Sequence, residues 1–256
     1  MVKKLTIFIL LIILPIAVFA FLNLSDKKPV IIAHRGGLTL LHPENSLIAF
    51  QNAIKYTNFI EMDIQFSKDN QPLVIHDSSL NRTTNCIGKI KNKNYNELKL
   101  CRLRSNINRT VSKQHIPHLE EVIQLMSTSK PTLILEIKSY DEIGIKNFMN
   151  IINSNQNIYI QSFSLETLNY IFKKYKHKNL YLISDKLPTK YPDFLAGLIL
   201  NKNFINATLL KKIDSNVLIY TIDETTDFLK FSKLDIDGIM TNDIRFFSKL
   251  IKGYDE

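Results

Sequence analysis

Several short apolar runs in this chain end in residues suited to acid–base or phosphate chemistry. The run at 30–33 ends in His34 and Arg35, and the run at 73–75 ends in His76. Histidine transfers protons near neutral pH, and the arginine guanidinium binds phosphate oxygens through paired hydrogen bonds. Gly36 and Gly37 follow the first pair, so the backbone can turn sharply there and a ligand can approach closely. A lone histidine at a strand end is more often structural, so the carboxylates must complete the argument.

Three carboxylates lie in two further apolar segments. Glu61 and Asp63 are two residues apart, which points both side chains to one face of a β-strand. Glu136 and Lys138 share the same spacing in the segment Leu-Ile-Leu-Glu-Ile-Lys. Two ionised carboxylates are not buried together without a cation, because desolvation and mutual repulsion both oppose it. A divalent cation that prefers oxygen ligands, Ca²⁺ or Mg²⁺, resolves this conflict, and a solvated strand rim is the alternative.

Together these side chains form a set that suits a phosphodiester substrate. A divalent cation polarises phosphoryl oxygens and neutralises the charge that develops on them. Arg35 and Lys138 can hold the anionic oxygens through charge-assisted hydrogen bonds. His34 and His76 can share general acid and general base catalysis on the attacking and leaving oxygens. The residues alone leave open which histidine is the acid.

Eight short strand-like runs alternate with helical stretches after residue 29. Strand followed by helix predicts parallel strands joined by crossover helices. Eight such units in about 230 residues predict an α/β fold, a closed (β/α)8 barrel of the TIM type. The rival, an open doubly wound sheet, would need a glycine-rich phosphate loop that the sequence lacks. The predicted strands are 30–34, 59–65, 132–138, 158–163, 180–184, 195–201, 217–222 and 238–241.

The segment 78–118 is too long for an ordinary connection between a strand and its helix. We predict that it forms a lobe inserted between the second strand and its helix, above the carboxyl-terminal mouth of the barrel, where active-site loops lie. The lobe contains Cys86 and Cys101, the only cysteines of the chain. Outside the cytoplasm this pair can form a disulfide, and two free thiols are the alternative.

Residues 1–25 have the pattern of a targeting segment. Lys3 and Lys4 precede an almost unbroken apolar run from 5 to 24, long enough to cross a bilayer as a helix. The lysines predict a cytoplasmic N-terminus and an extracytoplasmic barrel domain at 29–256. The segment is predicted either to remain as a transmembrane anchor or to be cleaved after Val18-Phe19-Ala20 as a signal peptide. Cleavage would leave a periplasmic or secreted protein.

The chain is basic, with 33 Lys and Arg against 24 Asp and Glu and a formal net charge of +9. Such a surface either keeps the protein soluble or attracts anionic lipids and phosphate substrates. Basic residues occur along the whole chain and no nucleic-acid-binding motif is present, so nucleic acid is not a predicted partner. Nothing in the sequence predicts an oligomeric state.

The order of these motifs resembles the glycerophosphodiester phosphodiesterase family, PLC-like phosphodiesterases with a TIM barrel. The resemblance covers almost the whole chain after the N-terminal segment. Its main motifs are His34-Arg35-Gly36, Pro43-Glu44-Asn45-Ser46, Glu61-x-Asp63, His76-Asp77, Arg82-Thr83-Thr84, Ile116-Pro117, Leu119-Glu120-Glu121 and Glu136-x-Lys138. By that resemblance the roles are a divalent cation on Glu61, Asp63 and Glu136, acid–base catalysis by His34 and His76, and phosphate contacts by Arg35 and Lys138.

The resemblance implies hydrolysis of glycerophosphodiesters to sn-glycerol 3-phosphate and an alcohol, in phospholipid catabolism. A lysophospholipase D acting on membrane lysolipids is the close alternative. A membrane-anchored protein that binds phospholipid headgroups without turnover is the alternative from another class.

Some residues depart from the family pattern or have secondary roles in it. Tyr220 stands where the family usually has tryptophan, Asn242 where it has aspartate, and His118 where it has a small residue. We expect these departures to bear on substrate choice and to leave the catalytic residues intact. Glu44 and Asn45 are expected to order the first loop and the helix that follows it.

Overall fold

The computed structural model describes residues 28–37, 42–106, 108–152, 157–186, 188 and 190–252. The apolar helix predicted at 1–25 lies outside these residues. No helix within the described ranges is long and apolar enough to cross a membrane.

The described chain forms a ring of parallel strands with helices around it and a small lobe at one side. In chain order the elements are β1 (Val30–Ala33), α1 (Leu47–Ala53), β2 (Phe59–Phe66), β3 (Pro72–Val74), α2 (Tyr95–Leu98), β4 (Arg102–Arg104), β5 (Val111–His115), α3 (Leu119–Met126), β6 (Thr132–Ile137), α4 (Glu142–Ile152), β7 (Ile158–Ser162), α5 (Leu165–Tyr175), β8 (Leu180–Ser184), β9 (Gly197–Asn201), α6 (Ala207–Leu210), β10 (Asn216–Tyr220), α7 (Thr225–Phe231), β11 (Gly238–Thr241) and α8 (Ile244–Lys252).

Eight of the strands close into a barrel. β1, β2 and β6 to β11 pair in parallel around the ring, and β1 closes it by pairing with both β11 and β2. The predicted (β/α)8 barrel is therefore confirmed. The crossover from β8 to β9 differs from the regular pattern, because its described residues form no helix. Pro188 and Pro192 lie in this crossover, and proline disfavours helix both at its own position and at the residue before it.

The strand β2 shows how the sequence directs side chains into the barrel. Ile60, Met62 and Ile64 are fully buried in the layer between the strands and the helices. Because side chains alternate along a strand, Glu61 and Asp63 must point to the opposite face, toward the barrel interior. The remainder of that interior is filled by an apolar cluster of Ile32, Ile134, Tyr181, Ile183, Ile199, Leu218 and Met240.

The insertion predicted between the second barrel strand and its helix is present, and it has a core of its own. β3 pairs antiparallel with β2, and β4 pairs antiparallel with β5. Cys86 and Cys101, 15 residues apart, form a disulfide, which decides between the two alternatives that the sequence left open. Closing a loop of this length stabilises a fold by about 3 kcal/mol in the chain-entropy model. The apolar core of the insertion consists of Leu80, Ile90, Leu98, Cys101, Leu103 and Ile116, and Leu73 and Ile75, which precede the insertion, pack into it.

Candidate active site

The side chains selected from the sequence meet at one end of the barrel. β1 ends directly before His34 and Arg35, β6 ends directly before Lys138, and β3 is followed closely by His76. A cavity of about 190 Å³ at this end is lined by six of the seven predicted site residues. The seventh, Asp63, is fully buried, and one of its carboxylate oxygens lies 3.0 Å from Lys138 Nζ. The cavity walls also include Gln161, Phe163, Ile183, Ile199, Tyr220, Thr221 and Met240.

A tight turn after β1 brings His34 and Arg35 into the cavity. The turn spans His34–Gly36 as one turn of 3₁₀ helix, and Arg35 adopts φ 54° within it. Gly36 has φ 85°, and a Cβ atom there would lie 2.8 Å from Cδ1 of Phe50. Only glycine fits this position, because any side chain would meet both backbone strain and a buried ring. The Arg35 backbone N–H, exposed by the turn, donates to Glu61 Oε2 at 2.8 Å.

Glu61, Asp63 and Glu136 converge as the sequence predicts. The parallel register of β2 and β6 sets Asp63 beside Glu136, and one oxygen from each of the three carboxylates lies within 4.8 Å of the others. Burial, reinforced by Asp63 and Glu136, raises the pKa of Glu61 well above its usual value. Burial also raises the pKa of Glu136 to about 7. Burial and mutual repulsion disfavour three ionised carboxylates at one place, and a divalent cation that takes oxygen ligands would offset both effects.

Two cations adjoin the carboxylates and also line the cavity. Lys138 Nζ lies 2.7 Å from Glu136 Oε1 and 3.0 Å from Asp63 Oδ1. Arg35 Nε lies 3.4 Å from Asp63 Oδ2. Although burial acts in the opposite direction, Lys138 and Arg35 lower the pKa of Asp63 to about 2. Asp63 is therefore ionised at neutral pH, and both cations can contact an anionic ligand in the cavity.

The ring nitrogen on which His34 carries its proton is set by a residue that directly follows the last strand, β11. His34 Nδ1 lies 2.8 Å from Asn242 Oδ1, and Asn242 Nδ2 donates to Asp223 Oδ2 at 2.7 Å. Because Asp223 fixes the amide with its oxygen toward the ring, His34 carries its proton on Nδ1, and Nε2 keeps a lone pair. Burial, followed by the charge of Arg35, lowers the pKa of His34 to about 4. His34 is thus neutral at pH 7.

His76 has a charged neighbour instead. Its Nδ1 lies 2.7 Å from Asp77 Oδ1, and Arg82 donates two hydrogen bonds to the same carboxylate, at 2.7 and 2.8 Å. Burial lowers the pKa of His76, whereas the hydrogen bond to Asp77 acts in the opposite direction. A carboxylate on Nδ1 stabilises the doubly protonated ring, which an amide oxygen does less strongly.

A chain of ion pairs joins His76 to Arg35 across the junction between the lobe and the barrel. Arg82 donates two hydrogen bonds to Glu44, at 2.7 and 2.8 Å, and Glu44 also accepts one from Arg35 at 3.0 Å. Glu44 therefore does more than order the first loop, since it holds two guanidinium groups. Asn45 has a similar wider role, because it exchanges two hydrogen bonds with Asp63, at 2.7 and 3.1 Å.

Comparisons with known proteins agree with this geometry. Residues 34–245 match the model of the glycerophosphoryl diester phosphodiesterase family. The chain belongs to this family. It is thus a phosphoric diester hydrolase by class, and the family resemblance of the sequence is confirmed.

Alignments of this chain with members of the family span nearly the whole length of each relative. A glycerophosphodiester phosphodiesterase of Caldanaerobacter subterraneus is 28% identical over 240 residues, covering 88% of this chain and 98% of the relative. One of Bacillus altitudinis is 29% identical over 230 residues, covering 83% and 94%. An Oleispira antarctica phosphodiesterase, solved in complex with the product sn-glycerol-3-phosphate, shares the fold with a TM-score of 0.81 at 24% identity, covering 88% and 98%.

The three departures from the family pattern have different positions. Tyr220 lines the cavity, and its hydroxyl donates to Asp185 Oδ1 at 2.8 Å. Asn242 contacts the catalytic candidate His34, so this departure does touch the predicted centre. His118 does not line the cavity. It is the N-cap of α3, where its ring accepts the Glu120 backbone N–H, so the expected effect on substrate choice has no structural basis there.

Two polar residues at the site are absent from the set predicted by sequence. Gln161 Nε2 donates to Glu61 Oε1 at 3.1 Å, and the signal for it was its place near the end of an apolar strand, as for Glu136. Asp223 orients Asn242 from the loop after β10. No sequence pattern marks Asp223, because its contact exists only through the pairing of β10 with β11.

Replacing Arg82 with alanine is expected to lower kcat about 10- to 100-fold, the usual effect of removing a residue that orients the side chains acting directly at a site. The reason is that Asp77 and Glu44 would lose a shared partner, so both His76 and Arg35 would be less well oriented. Steady-state kinetics with glycerophosphocholine would measure kcat and KM. Arg102→Ala is the matched control, since Arg102 lies in the same lobe and donates to Lys99 O. Equal kcat values for the two variants would contradict the proposed orientation.

Proposed function

We propose that this chain hydrolyses glycerophosphodiesters to sn-glycerol 3-phosphate and an alcohol with the help of one divalent cation, Ca²⁺ or Mg²⁺. The convergence of three buried carboxylates on a cavity that also holds two histidines, an arginine and a lysine carries this proposal. The product bound to the Oleispira antarctica relative supports the substrate class. Breakdown of phospholipids is the metabolic setting in which such diesters arise.

Each residue has a defined task in the proposed reaction. Glu61, Asp63 and Glu136 would hold the cation, which when bound polarises the phosphoryl oxygens and neutralises developing charge. Arg35 and Lys138 contact the phosphate oxygens through charge-assisted hydrogen bonds. The cation and the two basic side chains therefore bind the phosphate, which all glycerophosphodiesters share.

The two histidines divide the proton transfers according to their neighbours. His34 keeps a lone pair on Nε2 and accepts a proton from the water that attacks phosphorus. His76, whose protonated ring is stabilised by Asp77, donates a proton to the oxygen of the departing alcohol. His34 takes up one proton and His76 releases one, so the two histidines together support the replacement of the alcohol oxygen on phosphorus by the attacking oxygen.

A product assay tests the proposal. The full chain is incubated with glycerophosphocholine in Ca²⁺, in Mg²⁺ or with a chelator, and sn-glycerol 3-phosphate and choline are quantified. We expect equal amounts of the two products with a cation and almost none with the chelator. Hydrolysis that a chelator leaves unchanged would contradict the metal dependence, and absence of products in every condition would favour the headgroup-binding alternative.

The lysolipid alternative differs from a soluble diester in its long acyl chain. A volume of about 190 Å³ accommodates a phosphate and small polar groups, whereas a long acyl chain would have to remain outside. Lysophosphatidylcholine in the same assay separates the two substrates. Faster release of choline from the lysolipid than from glycerophosphocholine would favour the lysophospholipase D alternative.

We also propose that the barrel domain, residues 29–256, lies outside the cytoplasm, with residues 1–25 as its anchor or cleaved signal. The disulfide between Cys86 and Cys101 supports an oxidising compartment. Protease added to intact spheroplasts is expected to digest the domain while a cytoplasmic marker survives. Equal protection of both proteins would contradict this location.

A further inference from the structure

The net positive charge of the chain is concentrated in the inserted lobe, residues 78–118. This segment contains nine Lys and Arg and one Glu, a net of +8 against +9 for the whole chain. The remaining 215 residues are therefore nearly neutral, although basic residues occur throughout them. Among the described residues of the lobe, Arg82 is the only lysine or arginine that pairs with a carboxylate. Of the other basic residues, the exposed ones are Lys89, Lys91, Lys99, Arg109 and Lys113.

The same lobe carries the two most exposed large apolar side chains of the described chain. Ile87 is 77% exposed and Leu100 is 68% exposed. Each directly adjoins one cysteine of the disulfide, whose Cα atoms are 5.6 Å apart. Since consecutive Cα atoms are about 3.8 Å apart, the Cα atoms of Ile87 and Leu100 are within about 13 Å of each other. The disulfide thus limits the separation of these two exposed residues, which are together called the apolar tip (Ile87 and Leu100).

Basic residues are close to the apolar tip in the chain on both sides. Lys89 and Lys91 follow Ile87, and Lys99 precedes Leu100. All three are exposed. An apolar tip with lysines beside it matches the interface of an anionic bilayer, where aliphatic groups enter the headgroup region and lysines meet lipid phosphates.

We propose that the lobe binds the surface of an anionic phospholipid bilayer, with Ile87 and Leu100 inserted and Lys89, Lys91 and Lys99 on the lipid phosphates. A nucleic acid would be attracted by the basic charge of the lobe, but it offers no partner for the apolar tip. Proteins that bind single strands stack bases on aromatic rings, whereas the exposed large side chains of the lobe are aliphatic, including Val111. The proposal does not depend on the substrate of the enzyme.

The lobe is also connected to the active site, so membrane contact would be made beside the cavity. His76 and Arg82 lie on the segment that leads from β3 into the lobe, and Arg82 pairs with Glu44 on the barrel side. Asn106 of the lobe donates to the His42 carbonyl and accepts the Glu44 N–H. These contacts hold the lobe against the first loop of the barrel, and binding of the lobe would keep the catalytic domain at the lipid surface.

The chain has no tryptophan, so a single introduced tryptophan reports on its own surroundings. The full-length variants Ile87→Trp and Leu100→Trp are reconstituted into vesicles of phosphatidylcholine, or of equimolar phosphatidylcholine and phosphatidylglycerol. Tryptophan emission and quenching by acrylamide are then measured. The N-terminal segment is the same in both preparations, so it does not contribute to the difference between the two kinds of vesicle. Phe246→Trp is the matched control, since Phe246 is 44% exposed and belongs to the barrel helix α8, outside the lobe.

In anionic vesicles we expect a blue shift of emission for both lobe variants and a fall of about twofold or more in acrylamide quenching, because the side chains enter the headgroup region. The control should not change. Adding Lys89→Gln, Lys91→Gln and Lys99→Gln to Leu100→Trp should weaken binding of the lobe to the anionic surface about 100-fold, at about fivefold for each lysine, so the blue shift should be largely lost. High salt should have a similar effect.

Three results would overturn the proposal. The first is an unchanged signal in anionic vesicles for both lobe variants. The second is an equal change in the Phe246→Trp control. The third is a change caused by a DNA oligonucleotide and not by vesicles, which would identify a nucleic acid as the partner instead.

Discussion

Replacing Glu61 with glutamine is expected to lower kcat/KM for a glycerophosphodiester at least about 10³-fold, equivalent to about 4 kcal/mol of transition-state stabilisation. Glu61 is one of three buried carboxylates whose oxygens lie within 4.8 Å of one another. Glutamine has nearly the same shape but removes one negative charge. The cation would therefore lose a ligand and part of the charge that holds it.

The same variant separates a loss of metal from a loss of folding. Glu61 Oε2 accepts the Arg35 N–H, and the oxygen of glutamine can keep this bond. Gln161 Oε1 has no hydrogen-bond partner among the residues that the structure describes, and it can accept the new amide N–H after a flip. Because burial and two neighbouring acids raise the pKa of Glu61, removing its charge should leave the melting temperature of the metal-free protein unchanged or higher.

Calorimetric melting with and without Ca²⁺ or Mg²⁺ measures this difference. For the wild type, a cation at 100 times its Kd should stabilise the fold by about 2.7 kcal/mol. Glu61→Gln should lose that increase. Glu120→Gln, which alters an exposed carboxylate on α3, is the matched control and should keep both activity and the metal-dependent shift. A Glu61→Gln variant with wild-type activity would remove Glu61 from the metal site.

Replacing His34 or His76 with alanine is expected to lower kcat for glycerophosphocholine by about 10² to 10⁴, the usual contribution of general acid–base catalysis. Both rings line the cavity, and each is oriented through Nδ1, by Asn242 for His34 and by Asp77 for His76. KM should change less than kcat, because phosphate binding by Arg35 and Lys138 remains.

The nature of the leaving group distinguishes the two roles. A phosphodiester of p-nitrophenol needs little protonation of its leaving oxygen, so loss of the general acid matters less for this substrate. We expect His76→Ala to recover much of its activity on the aryl ester and His34→Ala to remain impaired. His177→Ala is the control, since the His177 ring hydrogen-bonds to the carbonyl of Ile158, the first residue of β7, at the end of the strand opposite the cavity. The reverse pattern would exchange the assignments, and equal activity of all variants would exclude both histidines.

The local pattern of the sequence was enough to predict the barrel and the side chains that meet at its cavity. Alternation along β2 places Ile60 and Met62 against the helices, and the same alternation turns Glu61 and Asp63 inward. The strand β6 repeats the pattern with Glu136. Because parallel strands of a barrel end on the same side, residues that follow separate strands meet without any further information. The closed ring of eight strands is the part of the prediction that the structure confirms directly.

Contacts between distant segments could not be predicted in this way. The pairing of Glu44 with Arg82 spans the junction between the first loop and the lobe, and that of Asp223 with Asn242 requires β10 and β11 to be neighbours. The disulfide was one of two open alternatives, because sequence spacing does not give the distance between two Cα atoms. The absence of a described helix between β8 and β9 likewise departs from the regular repeat.

The sequence by itself therefore determined which strands form and which side chains face the barrel interior, since side-chain alternation and strand direction are local properties of the backbone. Only the tertiary structure decided which partner holds Nδ1 of each histidine, how Glu44 joins two arginines, and that a disulfide joins the two segments that carry Ile87 and Leu100. These features arise when segments far apart in the chain pack together, and the short-range pattern of residues does not contain those distances.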